Sequence, residues 1–177
     1  FVPNQWSFIN GGDGMDCAFD PKNDNICYFS LYHGSFYRRE GNNRKTIIDP
    51  KIVYSKFNVA DTGAWVTPLA IDPVSSNNIY VGYANIYKSN NKGDNWEKLT
   101  DYKYYSYNLF QVIRVSPSNN KYIYAMTSSR LIMSSDGGLN FNNITVPGNG
   151  YLSDLCIHPT NPEVIYIVRS GYNENKV

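Results

Sequence analysis

Little in this chain announces a chemistry. Its 177 residues include two histidines and three cysteines, and no Cys-x-x-Cys or His-x-x-x-His spacing occurs, so a zinc site has no ligand pattern to rest on. Sixteen basic and 15 acidic residues leave a net charge of +1 without a basic stripe. That removes the electrostatic footprint of nucleic-acid binding. No apolar run approaches the roughly 18 residues that a membrane helix needs. No catalytic constellation emerges from the spacing of the acids, histidines and hydroxyls, and no metal or cofactor is implied.

What is present is a repeat. A tyrosine follows a proline by seven residues four times: Pro21/Tyr28, Pro73/Tyr80, Pro117/Tyr124 and Pro159/Tyr166. The prolines are 52, 44 and 42 residues apart, a period that fits a four-stranded propeller blade. Before each proline come two apolar residues spaced by two: Cys17 and Phe19, Leu69 and Ile71, Ile113 and Val115, Leu155 and Ile157. Residues two apart share a face of a strand, so each unit is expected to hold a buried strand there. The pre-proline residue (Asp20, Asp72, Ser116 or His158) is pushed out of the helical region and can cap the polar turn that follows. A second strand rich in β-branched and aromatic residues comes next. Strands are expected near 15–20, 26–32, 67–72, 79–83, 111–116, 122–127, 153–157 and 164–169, with no helix of ten residues across them.

Third strands follow a short loop, at Ser35-Phe36-Tyr37, Asn85-Ile86-Tyr87 and Leu131-Ile132-Met133. In units two and three they run into a shared turn, Ser89-x-Asn91-x-Gly93-x-x-Trp96 and Ser134-x-Asp136-x-Gly138-x-x-Phe141, with fourth strands over 96–100 and 141–146. The physics of such a turn is local. Asp136 can accept from turn N–H groups, Gly138 tolerates positive φ, and the aromatic residue buries a ring.

The spacing Ser134-x-Asp136-x-Gly138-x-x-Phe141 resembles the Asp-box, or BNR repeat, found in sialidases, xyloglucan-cleaving propellers, sortilin-type receptors and many secreted bacterial proteins. The second unit departs from it at Asn91. The first departs further, with Arg39, Gly41, Asn43 and Thr46 at the motif positions. The Gly11-Gly12-Asp13-Gly14 opening and the Asp20-Pro21 strand are similar to large surface proteins of Bacteroidetes. The resemblance implies an all-β propeller of four-stranded antiparallel blades and an extracellular or cell-surface location. It does not imply an activity.

The whole chain, 1–177, reads as a partial β-propeller of about three and a half blades, with units near 13–50, 65–104, 109–147 and 151–177. Closure takes roughly 4–8 blades. The expectation is therefore an excerpt whose partner is the remainder of the same polypeptide, the alternative being a compact open array. Cys17 and Cys27 stand where other units carry Leu or Ile. They are expected to be buried, and all three cysteines, Cys156 included, reduced and poorly reactive. A bond between Cys17 and Cys27 on neighbouring strands is the competing reading.

Antiparallel alternation puts the proline turns and the serine-led turns at one end, and the other loops at the opposite end. Those other loops carry the candidate ligand-binding residues Tyr32, His33, Trp65, Tyr151 and Tyr172. Exposed rings there could stack on sugars, while the plainer reading packs Trp65 and Tyr151 between blades. His158 reads as a turn cap. Asp13 is a weak catalytic candidate. Glycosidases use two carboxylates, and neither Asp13 nor Asp16 has a second acid placed beside it by the sequence. Arg114 should face away from core-facing Ile113 and Val115. The favoured function is a non-catalytic part of a secreted or cell-surface propeller that scaffolds, or binds carbohydrate or protein. The alternative is a fragment of a sialidase- or xyloglucanase-like glycoside hydrolase.

Overall fold

The computed structural model describes residues 10–48, 63–103 and 108–171. Strands β1 (Gly14–Asp20), β2 (Asn23–Leu31), β3 (Ser35–Glu40) and β4 (Asn43–Ile48) form one antiparallel sheet in chain order. A second holds β5 (Leu69–Ile71), β6 (Ile79–Gly82), β7 (Ile86–Ser89) and β8 (Glu97–Lys98). A third holds β9 (Val112–Val115), β10 (Ile123–Met126), β11 (Leu131–Ser134) and β12 (Asn142–Ile144), and β13 (Tyr151–Ile157) pairs with β14 (Ile165–Ser170) in a two-stranded fourth. Helix among the described residues is confined to one 3-10 turn, Tyr32–Gly34. All eight strands expected from the proline–tyrosine register are present. The expected fourth strands are shorter than read, because only Glu97–Lys98 and Asn142–Ile144 keep ladder pairing.

The tyrosine register is a register between sheets. Tyr28 lies opposite Ala18, Tyr80 opposite Ala70, Tyr124 opposite Arg114 and Tyr166 opposite Cys156. Each of the first three points toward the following sheet. Tyr28 packs with Ile79, Leu69 and Ile71; Tyr80 with Ile113 and Ile123; Tyr124 with Leu152 and Leu155. Burial pushes the Tyr28 hydroxyl up to about 12 and raises that of Tyr80 as well, so both rings stay neutral. Tyr166 has no following sheet among the described residues and is 55% exposed.

The two pre-proline apolar residues point the opposite way, onto the preceding sheet. Ile113 and Val115 are buried there, as is Leu155, and Leu69, Ile71 and Ile157 are half-buried. This corrects the expectation for the first sheet. Phe19 is 66% exposed, Cys17 is exposed and Cys27 is half-buried, because no preceding sheet lies over them among the described residues. All three cysteines are free, so no bond joins Cys17 to Cys27. Exposure also removes the reason to expect unreactive thiols at Cys17 and Cys156.

The serine-led turns close on themselves and on neighbouring segments. Ser134 is buried. Its Oγ donates to Asp136 Oδ1 (2.8 Å) and accepts from the N–H groups of Asp136 (3.3 Å) and Gly138 (2.9 Å). Asp136 accepts from the Asn140 backbone N–H (3.0 Å) and side-chain amide (2.8 Å). Ser89 and Asn91 repeat the pattern, with Asn91 Oδ1 accepting from Ser89 Oγ (2.9 Å) and from the Asn95 N–H (2.8 Å). Asparagine serves because one side-chain oxygen supplies both contacts. Gly137 N–H donates to Lys121 O, and Lys92 N–H to Asn77 O, each at 2.9 Å. These bonds hold the serine-led turn and the proline turn of a sheet at the same end, as the alternation required. In the first sheet a two-residue turn, Gly41-Asn42, replaces the motif, yet Gly41 N–H still reaches Asn25 O at 3.0 Å.

The same turns latch onto the preceding sheet. Lys88 Nζ donates to Gly137 O (3.2 Å) and Arg38 to Lys92 O (2.7 Å), while Trp96 Nε1 donates to Ile47 O (3.3 Å). Gly93 and Gly138 have φ of 91° and 97°, and a Cβ on either would sit 2.8 Å from a methyl of Ile47 or Leu99 in the preceding sheet. Gly137, at φ 81°, faces open space. Gly138→Ala should therefore cost roughly 2–5 kcal/mol, strain and crowding added together. Gly137→Ala should cost about 1–2 kcal/mol, from left-handed strain alone. Denaturant melts of the two variants check this, and equal losses would deny the inter-sheet contact.

Asn140 and Ser134 hold the Asp136 carboxyl down at about 2. Its unfolded value is near 3.9. A lowered folded value stabilises above about pH 4, and the stability is lost as pH falls from about 4 to about 2. Asp136→Asn keeps the oxygen that Asn91 uses but removes the charge. The melting-temperature gap between the parent chain and Asp136→Asn should be widest near neutral pH and close across that window.

Candidate functional site

The loops opposite the serine-led turns bring three of the five candidate ligand-binding residues together. The β2–β3 connection supplies Tyr32 and His33, and the segment entering β5 supplies Trp65. The Tyr32 and Trp65 rings stack at 5.5 Å between centroids and 16° between planes. The His33 ring stands edge-on to both, at 5.8 Å and 89° from Tyr32 and 5.3 Å and 88° from Trp65. Tyr32 is 45% exposed and Trp65 57% exposed. The reading that Trp65 packs between blades is therefore corrected: its ring lies on the surface, against Tyr32.

The backbone explains why this cluster forms. His33 has φ 57° and ψ 23°, a left-handed conformation that turns the chain sharply after Leu31. Its N–H donates to Trp65 O at 3.2 Å, and its Nδ1 lies 3.1 Å from Gly63 O. Beneath, Tyr83 OH donates to Gly34 O at 2.6 Å, and Thr67 Oγ1 donates to Ala64 O at 2.7 Å. A Cβ on Gly34 would collide with the Tyr83 ring, and one on Gly63 with the Thr67 hydroxyl. Two glycines thus let three segments approach closely enough to fix the rings.

The other candidates stay apart. Tyr151 is 68% exposed at the start of β13, and no ring contact joins it to the cluster. Tyr172 lies outside the described residues. Asp13 is exposed in the loop before β1. Asp16 Oδ1 accepts from the Cys17 N–H at 2.8 Å, so that carboxylate serves its own strand. Arg114 turns away from Ile113 and Val115, as expected, and meets Asp154 at 3.1 Å. His158 Nδ1 lies 3.3 Å from the Thr160 N–H, the arrangement of a turn cap. Among the described residues no group of three His, Cys, Asp or Glu side chains could hold a metal ion.

Two features went unread in the sequence. The first strands of the second, third and fourth sheets line an open groove of about 440 Å³, with Leu69, Ile71, Ile113, Arg114, Cys156 and Ile157 in its wall. The pre-proline Asp72 also reaches beyond its own turn. Its Oδ1 caps the Val74 and Ser75 N–H groups, and its Oδ2 accepts from Asn78 and, at 2.8 Å, from Asn120 of the next sheet. The signal was Asn120 at the same distance after its proline as Ser76, but only the stacking of sheets makes that offset meaningful.

No family model and no curated protein matches this chain. Solved structures do. The GH74 xyloglucanase from Xanthomonas campestris is similar at a TM-score of 0.69 and 16% identity, over 92% of this chain and 28% of that one. An ancestral GH74 enzyme is similar at 0.67 and 18% identity, over 89% and 22%. An auxiliary nutrient binding protein from Bacteroides thetaiotaomicron gives 0.59 at 13% identity, over 89% and 36%. This chain therefore spans between a fifth and about a third of those proteins. At such identities the likeness concerns fold alone, and with the sheet order it shows a partial β-propeller, with three four-stranded blades and two strands of a fourth among the described residues.

Proposed function

We propose that this chain is a non-catalytic portion of a secreted or cell-surface Asp-box β-propeller, completed by further blades of the same polypeptide, which scaffolds or binds a carbohydrate or protein ligand. The carrying observation is the repeated inter-blade packing. Wherever a neighbour is present, the same positions are buried or half-buried. The outer face of the first blade (Cys17, Phe19, Phe29, Tyr37) and that of the last (Cys156, Tyr166, Val168) are left uncovered by the described residues. Exposed aromatic surface of this kind calls for a partner.

Non-catalytic is the favoured reading because the acids are placed for structure. Asp136, Asp72 and Asp16 are engaged by neighbouring N–H or amide groups. The similar structures include enzymes and a nutrient-binding protein, so the fold accommodates either use. Turnover of β-glucans or sialosides by this chain, abolished by Asp13→Asn, would overturn this half of the reading.

Thiol chemistry tests the missing neighbours. In this chain a thiol reagent should label Cys17 and Cys156 rapidly under native conditions. Cys27 should label more slowly, since burial, only partly offset by Arg39, pushes its thiol up. In the longer polypeptide Cys17 and Cys156 should both become protected. Equal labelling in the two contexts would remove the case for covering blades.

A further inference from the structure

We infer that Tyr32, His33 and Trp65 form a binding site for a neutral pyranoside with equatorial hydroxyls, of the kind found in β-linked glucans. The inference rests on the reading of this chain as a binding portion, and it names the ligand class and the residues.

The chemistry of the cluster selects the ligand. A pyranose with equatorial hydroxyls presents its axial C–H groups as a flat apolar face, and a flat aromatic surface is its complement. Tyr32 and Trp65 stack on each other at 16° and both are exposed, so each ring braces the other and a sugar would lie on the side of the pair turned away from the stack. A sugar also needs hydrogen-bond partners at its rim, and His33 supplies one. Gly63 O can only accept, so His33 Nδ1 carries the proton in the neutral ring and donates to it. Nε2 then holds a lone pair. It has no partner among the described residues, so it is left to accept from a ligand hydroxyl.

Two further observations favour a small neutral ligand over a protein surface. Among the described residues, no charged side chain makes a hydrogen bond, ion pair or ring contact with the three residues. Among the described residues, the exposed large apolar side chains at this spot are Tyr32, Trp65 and the adjacent Val66, where a standard protein interface uses roughly 20–30 residues a side. The rings are also already fixed, by the His33–Trp65 and His33–Gly63 bonds above and by Tyr83 and Thr67 below. A fixed platform loses little freedom on binding.

Calorimetric titration of this chain with cellohexaose, with xylohexaose, and with an oligogalacturonate as a charged control tests the site. At least one neutral oligosaccharide should bind. Trp65→Ala and Tyr32→Ala should each weaken it about tenfold, the scale of one lost aromatic contact. Both variants should keep the circular dichroism of the parent chain, because both side chains are exposed and the Trp65 carbonyl remains. His33→Asn, which tolerates the left-handed conformation and keeps the backbone bond to Trp65 O, should weaken binding. Tyr151→Ala, outside the cluster, should bind as the parent does. Failure of both neutral sugars to bind at millimolar concentration, parent-like affinity in folded Trp65→Ala, or preference for the charged control would each overturn the proposal. Any of these would leave the thiol-labelling result, and with it the reading of uncovered blades, untouched.

Discussion

Burial of both faces of a sheet by its neighbours is the constraint on which this structure depends. A four-stranded sheet on its own cannot hide the apolar groups on two faces, and these strands carry them on both. In β6 and β10 all four residues are buried. That requires one face for the preceding blade and one for the following. The fourfold tyrosine marks the second face, and the apolar pair before the proline marks the first. The seven-residue spacing is therefore an imprint of stacking, in which each blade is a spacer between two cores.

Polar contacts set how the blades stack. Cross-blade bonds from Lys88, Arg38, Trp96, Asn120 and Tyr124 end on backbone oxygens or on Asp72. A carbonyl at a turn is positioned more tightly than a side chain, so such bonds define a register that apolar contact alone leaves loose. The serine-led turns present two of those carbonyls, Lys92 O and Gly137 O, and Gly93 and Gly138 in them let Ile47 and Leu99 approach. The first blade lacks the turn. On its outer edge Arg44 lies 4.4 Å over the Tyr37 ring, which in turn stacks on Phe29 at 5.4 Å. A blade covering that face would meet guanidinium and aromatic surface there.

Much of this was legible because β-structure writes with a period of two, and repetition multiplies the signal. Proline, tyrosine and the apolar pair fixed strand positions to within a few residues. What failed, failed for physical reasons. Cys17 and Phe19 have the pattern of Ile113 and Val115, yet their exposure depends on a neighbour that no local pattern encodes. Tyr32, His33 and Trp65 were legible as residue types on the right loops. Their union was not, because it depends on a left-handed His33 and on two glycines touching Tyr83 and Thr67 across the chain. Trp65 and Tyr151 looked equivalent in the sequence, and only tertiary contact separated them.

The two-sided burial that organises the blades would be read most directly by native-state hydrogen exchange resolved to single strands. Amides of β6 and β10, covered on both faces, should be the slowest to exchange and should open only with global unfolding. Those of β14 should exchange markedly faster, since its residues alternate between half-buried and exposed along its whole length. Protection in β14 equal to or above that in β6 and β10 would contradict the account.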